Sequence, residues 1–315
     1  MVYVLICITL GVLFSWVFYP VFNDSSVKIV TPLPSFLART FNSQVTTLDL
    51  WEPVQSLFAE ANQSQLALTA KSALSYDETT DTPIFELSPN TKLPMASLTK
   101  IMTAIIALEH PKSPDEYVVT GDALVGEDSM GLTEGEVLSQ KELLYGLLLH
   151  SGNDAAEVFA SNFPGGRGEF IHAMNDKASA LGLSDTHFTN PTGLEGDGNQ
   201  YTTAYDLLKI TRYALETFPE FDDIVATVSY SIPQTQTHKA FDLENETNLL
   251  TSYPGVKGVK TGYTPEAGLC LVTYLEYGGH KIIGVVLGSE DRRDDMKEIL
   301  DYSLKKLDIP PPPHA

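Results

Sequence analysis

Ser97 and Lys100 stand three residues apart in Ser97-Leu-Thr-Lys100, a spacing that puts a hydroxyl and an amine one helical turn apart on the same face. A serine hydroxyl is a poor nucleophile near neutral pH unless a base takes its proton. A lysine serves as that base once burial or a second cation lowers its pKa. Alone the pair is weak evidence, because a serine capping a helix and a solvated lysine one turn on give the same spacing. Two more short motifs follow it. Ser151-Gly-Asn153 offers a hydroxyl that can relay a proton to a leaving amine and an amide that can hold a peptide carbonyl or orient a lysine. Read alone it is a helix-ending turn. Lys260-Thr-Gly262 offers a cation and a hydroxyl suited to a carboxylate, with a glycine that lets a ligand lie against the backbone. Read alone it is an exposed strand-edge lysine and a tight turn.

The surrounding pattern supplies elements that would hold these groups. An extended stretch containing Pro94 turns at Ser97 into a helix with an apolar stripe of Ile101, Met102, Ile105, Ile106 and Leu108. Leu143, Leu144, Leu147 and Leu148 mark a second buried helix that runs up to Ser151. Phe170, Ile171, Met174, Ala178 and Leu181 mark another, stopped at Gly182, and Thr203 is placed to cap one more. Strand signals lie outside this helical middle. A hairpin is expected from Leu66–Leu74 and Ile84–Leu87 around the turn-rich 77–82, and a second around Gly278-Gly279. A closing helix is expected from Asp291 to Leu307. Strands, an inserted helical lobe, then strands and a helix make an α+β domain over residues 64–307, with a cleft between its two lobes.

Acidic residues outnumber basic ones 41 to 20, for a net charge of −21, and so negative a surface offers no basic stripe to nucleic acid. Of the two cysteines, Cys7 lies in an apolar segment and Cys270 in an alternating strand, where it reads as a small core residue. No disulfide framework is expected. The seven histidines lack metal-ligand spacings, so neither metal nor cofactor is implied. Asp154 and Glu157 read as acidic residues favoured at the start of a helix. Residues 1–22 carry no charged side chain and are long enough to cross a bilayer. Their length and their ending in Tyr19, Pro20, Val21 and Phe22 favour an uncleaved anchor over a cleaved signal. Residues 23–63 read as a linker and 308–315 as a proline-rich tail.

The order S-x-x-K, S-x-N, K-T-G resembles penicillin-binding proteins and β-lactamases. The longer blocks Pro94-Met-Ala-Ser-Leu-Thr-Lys-Ile-Met-Thr103, Leu149-His-Ser-Gly-Asn-Asp-Ala-Ala156, Phe188-Thr-Asn-Pro-Thr-Gly-Leu194 and Gly255-Val-Lys-Gly-Val-Lys-Thr-Gly-Tyr-Thr264 are similar to the low-molecular-mass serine D-Ala-D-Ala carboxypeptidases. The resemblance covers about residues 66–302. It implies a β-lactamase/transpeptidase-like fold, an antiparallel sheet flanked by helices with an inserted all-helical lobe and the active site between them. Ser97 would attack the terminal D-Ala-D-Ala bond of a peptidoglycan stem peptide, with Lys100 as base, although which lysine is the formal base is disputed for such enzymes. The backbone N–H groups of Ser97 and Tyr263 would form the oxyanion hole. Ser151 and Lys260 would pass a proton to the leaving D-alanine, Asn153 would hold the substrate amide, and Lys260 with Thr261 and Gly262 would receive the terminal carboxylate. β-Lactam antibiotics would acylate the same serine.

Two departures from that family stand out. Where relatives often carry histidine, this chain has Gln200 before Tyr-Thr-Thr-Ala204, a change expected to alter a loop without touching the three motifs. The chain also ends within a dozen residues of its closing helix, where many relatives continue into a β domain and an anchor helix, so anchoring is expected to fall to residues 1–22. A peptidoglycan substrate then puts the catalytic domain on the extracytoplasmic side of a single-pass membrane protein. A DD-endopeptidase of cross-links fits the same motifs, and a non-hydrolytic β-lactam or muropeptide receptor would need a signalling domain for which residues 1–22 leave no room. A class A β-lactamase would need a glutamate block that residues 156–205 do not contain.

Overall fold

A computed structural model describes residues 51–53 and 66–314, all within one compact unit, Leu48–Ala315. The chain starts with the hairpin β1 (Ser72–Asp77) and β2 (Thr82–Leu87), then passes through a short 3-10 turn, Ala96–Leu98, into α1 (Thr99–Glu109). Two-residue strands β3 (Tyr117–Val118) and β4 (Val137–Leu138) precede α2 (Gln140–Leu148), α3 (Asn153–Ser161), α4 (Arg167–Ala180), α5 (Ala204–Thr217) and α6 (Pro219–Val225). A small pair, β5 (Ser229–Ile232) with β6 (Phe241–Glu244), and the single turn α7 (Leu249–Ser252) lead to β7 (Val256–Thr264), β8 (Gly268–Tyr277), β9 (His280–Ser289) and α8 (Arg292–Lys306).

Strands from the two ends of the chain form one sheet in the order β2-β1-β9-β8-β7, each neighbour antiparallel. The α+β expectation therefore holds, with the helical lobe inserted between the halves of the sheet. Successive residues of a strand point to opposite faces, and here both faces are covered. Leu74 and Tyr76 of β1, Val272 and Tyr274 of β8, and Ile283, Val285 and Leu287 of β9 join a core shared with α1, α2, α3 and α5. Their alternates Ala73, Leu271, Leu275, Ile282 and Val286 pack with Met296, Ile299, Leu300 and Leu304 of α8. The sheet is thus a wall whose edge strand, β7, presents Lys260-Thr-Gly262 beside the helical lobe.

Local signals explain the element ends. Ser139 and Glu142 form a reciprocal capping box on α2, and the Thr203 hydroxyl accepts from the Asp206 N–H to start α5. Gly278 and Gly279 both take positive φ, +61° and +86°, which a two-residue turn joining β8 to β9 requires. The first strand begins at Ser72 rather than Leu66, because 66–70 runs beside the sheet without joining it.

Part of the expected linker is docked. The Trp51 indole meets the Tyr76 ring edge-on at 5.3 Å, lies under the Arg212 guanidinium at 4.0 Å and donates to Asp81 at 3.0 Å, while Glu52 pairs with Lys209 at 2.5 Å. Residues 1–22 and most of 23–63 lie outside the described residues. Among the described residues no helix is long and apolar enough to cross a membrane.

Candidate active site

Ser97 sits in the 3-10 turn before α1 rather than in the helix itself. Ala96, just before it, has φ +49°, a left-handed conformation that a residue with a Cβ adopts only when its surroundings hold it there. Two neighbours do so. The Thr99 hydroxyl donates to the Ala96 carbonyl at 2.8 Å, and Gly193, with φ +90°, lies so close that a Cβ there would stand 2.0 Å from the same oxygen. A side chain at position 193 would push the turn that carries Ser97 out of place.

Lys100 follows in the first turn of α1 and is fully buried. Its Nζ donates to Ser97 Oγ at 2.9 Å, to Asn153 Oδ1 at 2.7 Å and to the Thr192 carbonyl at 2.7 Å. Three acceptors satisfy all three N–H bonds of an ammonium. Once a proton is lost, two N–H bonds can stay on Asn153 and Thr192 while the lone pair faces the Ser97 hydroxyl. Burial drives the Lys100 pKa well below that of a free lysine, and the charge of Lys260 pushes it further the same way.

Asn153 opens α3, and its neighbours shape the opposite wall. Its backbone N–H donates to the Asp128 carbonyl at 2.7 Å and its Nδ2 to the Glu127 carbonyl at 3.0 Å. Ser151 lies in the turn between α2 and α3, buried and with φ +56°, but no hydrogen bond joins its hydroxyl to Ser97, Lys100 or Lys260.

Lys260 and Thr261 are buried on β7. Lys260 donates to the Thr261 carbonyl at 3.2 Å, and burial lowers its pKa to about 8 against the opposing pull of Glu246. Thr261 Oγ1 faces Glu246 at 3.5 Å. Gly262 brings the strand onto Ser97, since a Cβ there would stand 3.0 Å from the Ser97 nitrogen. The next residue, Tyr263, has 59% of its surface exposed and lines the same cleft as Ser97. Ser97, Glu127, Asp128, Gly193, Glu195 and Tyr263 are among the residues that line an open cleft of about 910 Å³. The arrangement is a serine hydroxyl against a neutralisable amine, beside a strand edge carrying a second cation. It suits acyl transfer to a substrate that ends in a carboxylate.

Residues 59–291 match the D-alanyl-D-alanine carboxypeptidase family, peptidase family S11. The chain belongs to that family. Among curated relatives, the D-alanyl-D-alanine carboxypeptidase DacF of Bacillus subtilis is 35% identical over 79% of this chain and 65% of its own length. The D-alanyl-D-alanine carboxypeptidase of Streptomyces sp. strain K15 is 34% identical over 71% of this chain and 83% of its own. The D-alanyl-D-alanine endopeptidase of Pseudomonas aeruginosa is 31% identical over 66% of this chain and 67% of its own. The chain therefore spans just under two thirds of the DacF relative. The crystal structure of the Streptomyces K15 DD-transpeptidase matches with a TM-score of 0.71 at 31% identity, over 76% of this chain and 98% of that one. Penicillin-binding protein D2 of Listeria monocytogenes, in its cefotaxime-bound form, matches at 0.68 and 28% identity, over 77% of this chain and all of that one. The fold is the β-lactamase/transpeptidase fold of these DD-peptidases.

Several residues of this family member's site escape a reading by motif. Thr192 contributes a carbonyl, which no residue type announces. Arg292, at the start of α8, donates to the Gly262 carbonyl at 2.7 Å and adds positive potential beside Lys260. Glu157 pairs with Arg167 at 2.8 Å, a structural role. Cys270 is fully buried, and burial pushes its thiol up to about 11, so it remains a core residue. Gln200 corrects an expectation: it does touch the first motif, because its Nε2 donates to Thr99 Oγ1 at 2.8 Å.

Asp154 does more than suit the start of a helix. One oxygen accepts from the N–H groups of Met130 and Ala155 and the other from those of Gly131 and Leu132 and from the Ser129 hydroxyl, at 2.5–3.1 Å. The loop it holds begins at the Glu127 and Asp128 carbonyls that fix Asn153. Asp154→Asn would turn an NH2 group toward these donors, at about 2 kcal/mol or more of stability. We expect a lower melting temperature and roughly tenfold slower labelling by fluorescent penicillin; unchanged values in both would refute the anchoring role.

Proposed function

We propose that the protein is a serine D-alanyl-D-alanine carboxypeptidase that removes the terminal D-alanine from peptidoglycan stem peptides. The observation that carries this reading is the Lys100 amine, buried among Ser97 Oγ, Asn153 Oδ1 and the Thr192 carbonyl at 2.7–2.9 Å. A buried amine with a lowered pKa and a hydroxyl at its lone pair is an activated nucleophile.

Ser97 Oγ attacks the carbonyl carbon of the D-Ala-D-Ala bond while Lys100 takes its proton. The N–H groups of Ser97 and Tyr263 stabilise the oxyanion of the tetrahedral intermediate. Collapse breaks the C–N bond, the D-alanine amine leaves with a proton passed through Ser151 and Lys260, and an ester remains on Ser97. Asn153 holds the substrate amide, and Lys260 and Thr261 receive the terminal carboxylate against the open backbone of Gly262. Water then hydrolyses the ester. A β-lactam carries a strained amide and a carboxylate in similar positions, so it acylates Ser97 in the same way. Residues 1–22 anchor the chain in the cytoplasmic membrane, with residues 64–307 on the extracytoplasmic side where peptidoglycan lies.

Kinship with a D-alanyl-D-alanine endopeptidase favours cross-link cleavage as the second reading. The test treats the protein with fluorescent penicillin, maps the adduct by peptide mass, and assays free D-alanine from a peptide ending in D-Ala-D-Ala beside cleavage of a cross-linked dimer. The expected result is an adduct on Ser97 and D-alanine release. An adduct with dimer cleavage alone would establish the endopeptidase, and no adduct would overturn the assignment.

A further inference from the structure

Gln200 is a half-buried amide on the loop before α5, outside all three motifs, and it uses both ends of its side chain. Nε2 donates to Thr99 Oγ1 at 2.8 Å, while Oε1 accepts from the Thr189 and Asn190 N–H groups at 2.9 and 3.3 Å. Each end leads to the reacting pair by a short chain of contacts. Because Thr99 Oγ1 accepts from Gln200, its own proton is directed to the Ala96 carbonyl, the group that holds the strained turn before Ser97. On the other side Asn190 Oδ1 accepts from the Thr192 and Gly193 N–H groups at 3.2 and 2.7 Å, and the Thr192 carbonyl accepts from Lys100. Thr103 Oγ1 also donates to the Pro191 carbonyl at 2.6 Å, so the loop is fastened to α1 directly at Lys100 and Thr103 and through Gln200 at Thr99.

We propose that Gln200 is a positioning residue for the Ser97–Lys100 pair. It locks the 189–194 loop to the turn that carries the nucleophile, so that the Thr192 carbonyl and the Ser97 hydroxyl keep their places around the Lys100 amine. A primary amide suits the task because it donates and accepts at once and does not titrate. The inference rests on Ser97 being acylated as proposed above, and it predicts a change in rate rather than in substrate binding, because Gln200 is not among the residues lining the cleft.

The test compares the wild-type protein with Gln200→Met, which keeps length but not hydrogen bonds, and with Gln200→His, whose neutral imidazole at pH 8 offers one donor and one acceptor. Penicillin titration counts working sites, and the acylation rate constant is then measured per working site. For Gln200→Met we expect a rate about tenfold lower, kcat for D-alanine release lowered in step, KM within twofold, and most of the rate restored in Gln200→His. A merely structural residue would instead lower the number of titratable sites and leave the rate per site unchanged, which would overturn the proposal. So would a Gln200→Met rate within twofold of wild type, a loss confined to KM, or no recovery with histidine. Absence of labelling in the wild-type protein would remove the acylation reading and this inference together.

Discussion

Ser97→Ala is expected to abolish covalent labelling by penicillin and to lower D-alanine release by more than about a thousandfold, because among the described residues no other hydroxyl or thiol hydrogen-bonds the Lys100 amine. Cys270 is fully buried with a raised pKa. Ser151 makes no hydrogen bond to a base, so it cannot substitute. The fold should survive the change. Lys100 keeps Asn153 Oδ1 and the Thr192 carbonyl, and removing one oxygen from a side chain that is 8% exposed leaves a space smaller than a methyl group. Melting temperatures should agree within about 5 °C. Non-covalent binding should persist, because the proposed carboxylate site at Lys260 and Thr261 is untouched, and competition against a reversible ligand would detect it. Residual labelling at the wild-type rate would remove Ser97 as the nucleophile. Loss of labelling together with loss of the folded state would show instead that Ser97 Oγ is needed to satisfy Lys100.

The contacts of this site are legible in the sequence where they need a particular residue type. The hydroxyl, amine and amide that meet at 2.7–2.9 Å are spelled by Ser97, Lys100 and Asn153, and a helical spacing of three announces the first contact. They are illegible where backbone does the work, since the Thr192 carbonyl could belong to any residue and only Asn190 and Gly193 hint at a tight loop. The apolar stripe announces the helix after Ser97, but nothing local announces the 3-10 turn at Ala96–Leu98, because its strain comes from Gly193 and Thr99 packing on one carbonyl rather than from local propensity. Gln200 escapes the motif for a related reason: its partner Thr99 is the variable third position of S-x-x-K, to which the motif assigns no role. In the fold, the long β-rich runs on either side of Gly278-Gly279 announce β8 and β9, whereas the two-residue strands β3 and β4 carry too few positions to show a period. Trp51 sat in a polar stretch that reads as tether, and only tertiary contacts with Tyr76 and Arg212 show it docked.

Lys100→Met gives the second large expected effect, and its pH dependence separates catalysis from stability. Acylation should fall by about a thousandfold or more, since among the described residues no other base lies on the Ser97 hydroxyl. In the wild-type protein the rate should rise with pH as Lys100 loses its proton, from a pKa held well below the usual lysine range, and fall again near pH 8 as Lys260 loses the charge that attracts the substrate carboxylate. The methionine variant should lack the rising limb. Stability follows a different rule. A lysine whose folded pKa is depressed binds fewer protons in the folded than in the unfolded chain between those two pKa values, so wild-type stability gains with pH up to about 10.5. Methionine removes that penalty, but it also orphans Asn153 Oδ1 and the Thr192 carbonyl, at about 1–3 kcal/mol each, so the two effects oppose each other at pH 7. The slope is free of that competition. From pH 7 to pH 10 the wild-type protein should gain stability relative to Lys100→Met in denaturant titrations, whichever is the more stable at the start. A constant difference across that range would mean that folding does not hold the Lys100 pKa below that of a free lysine.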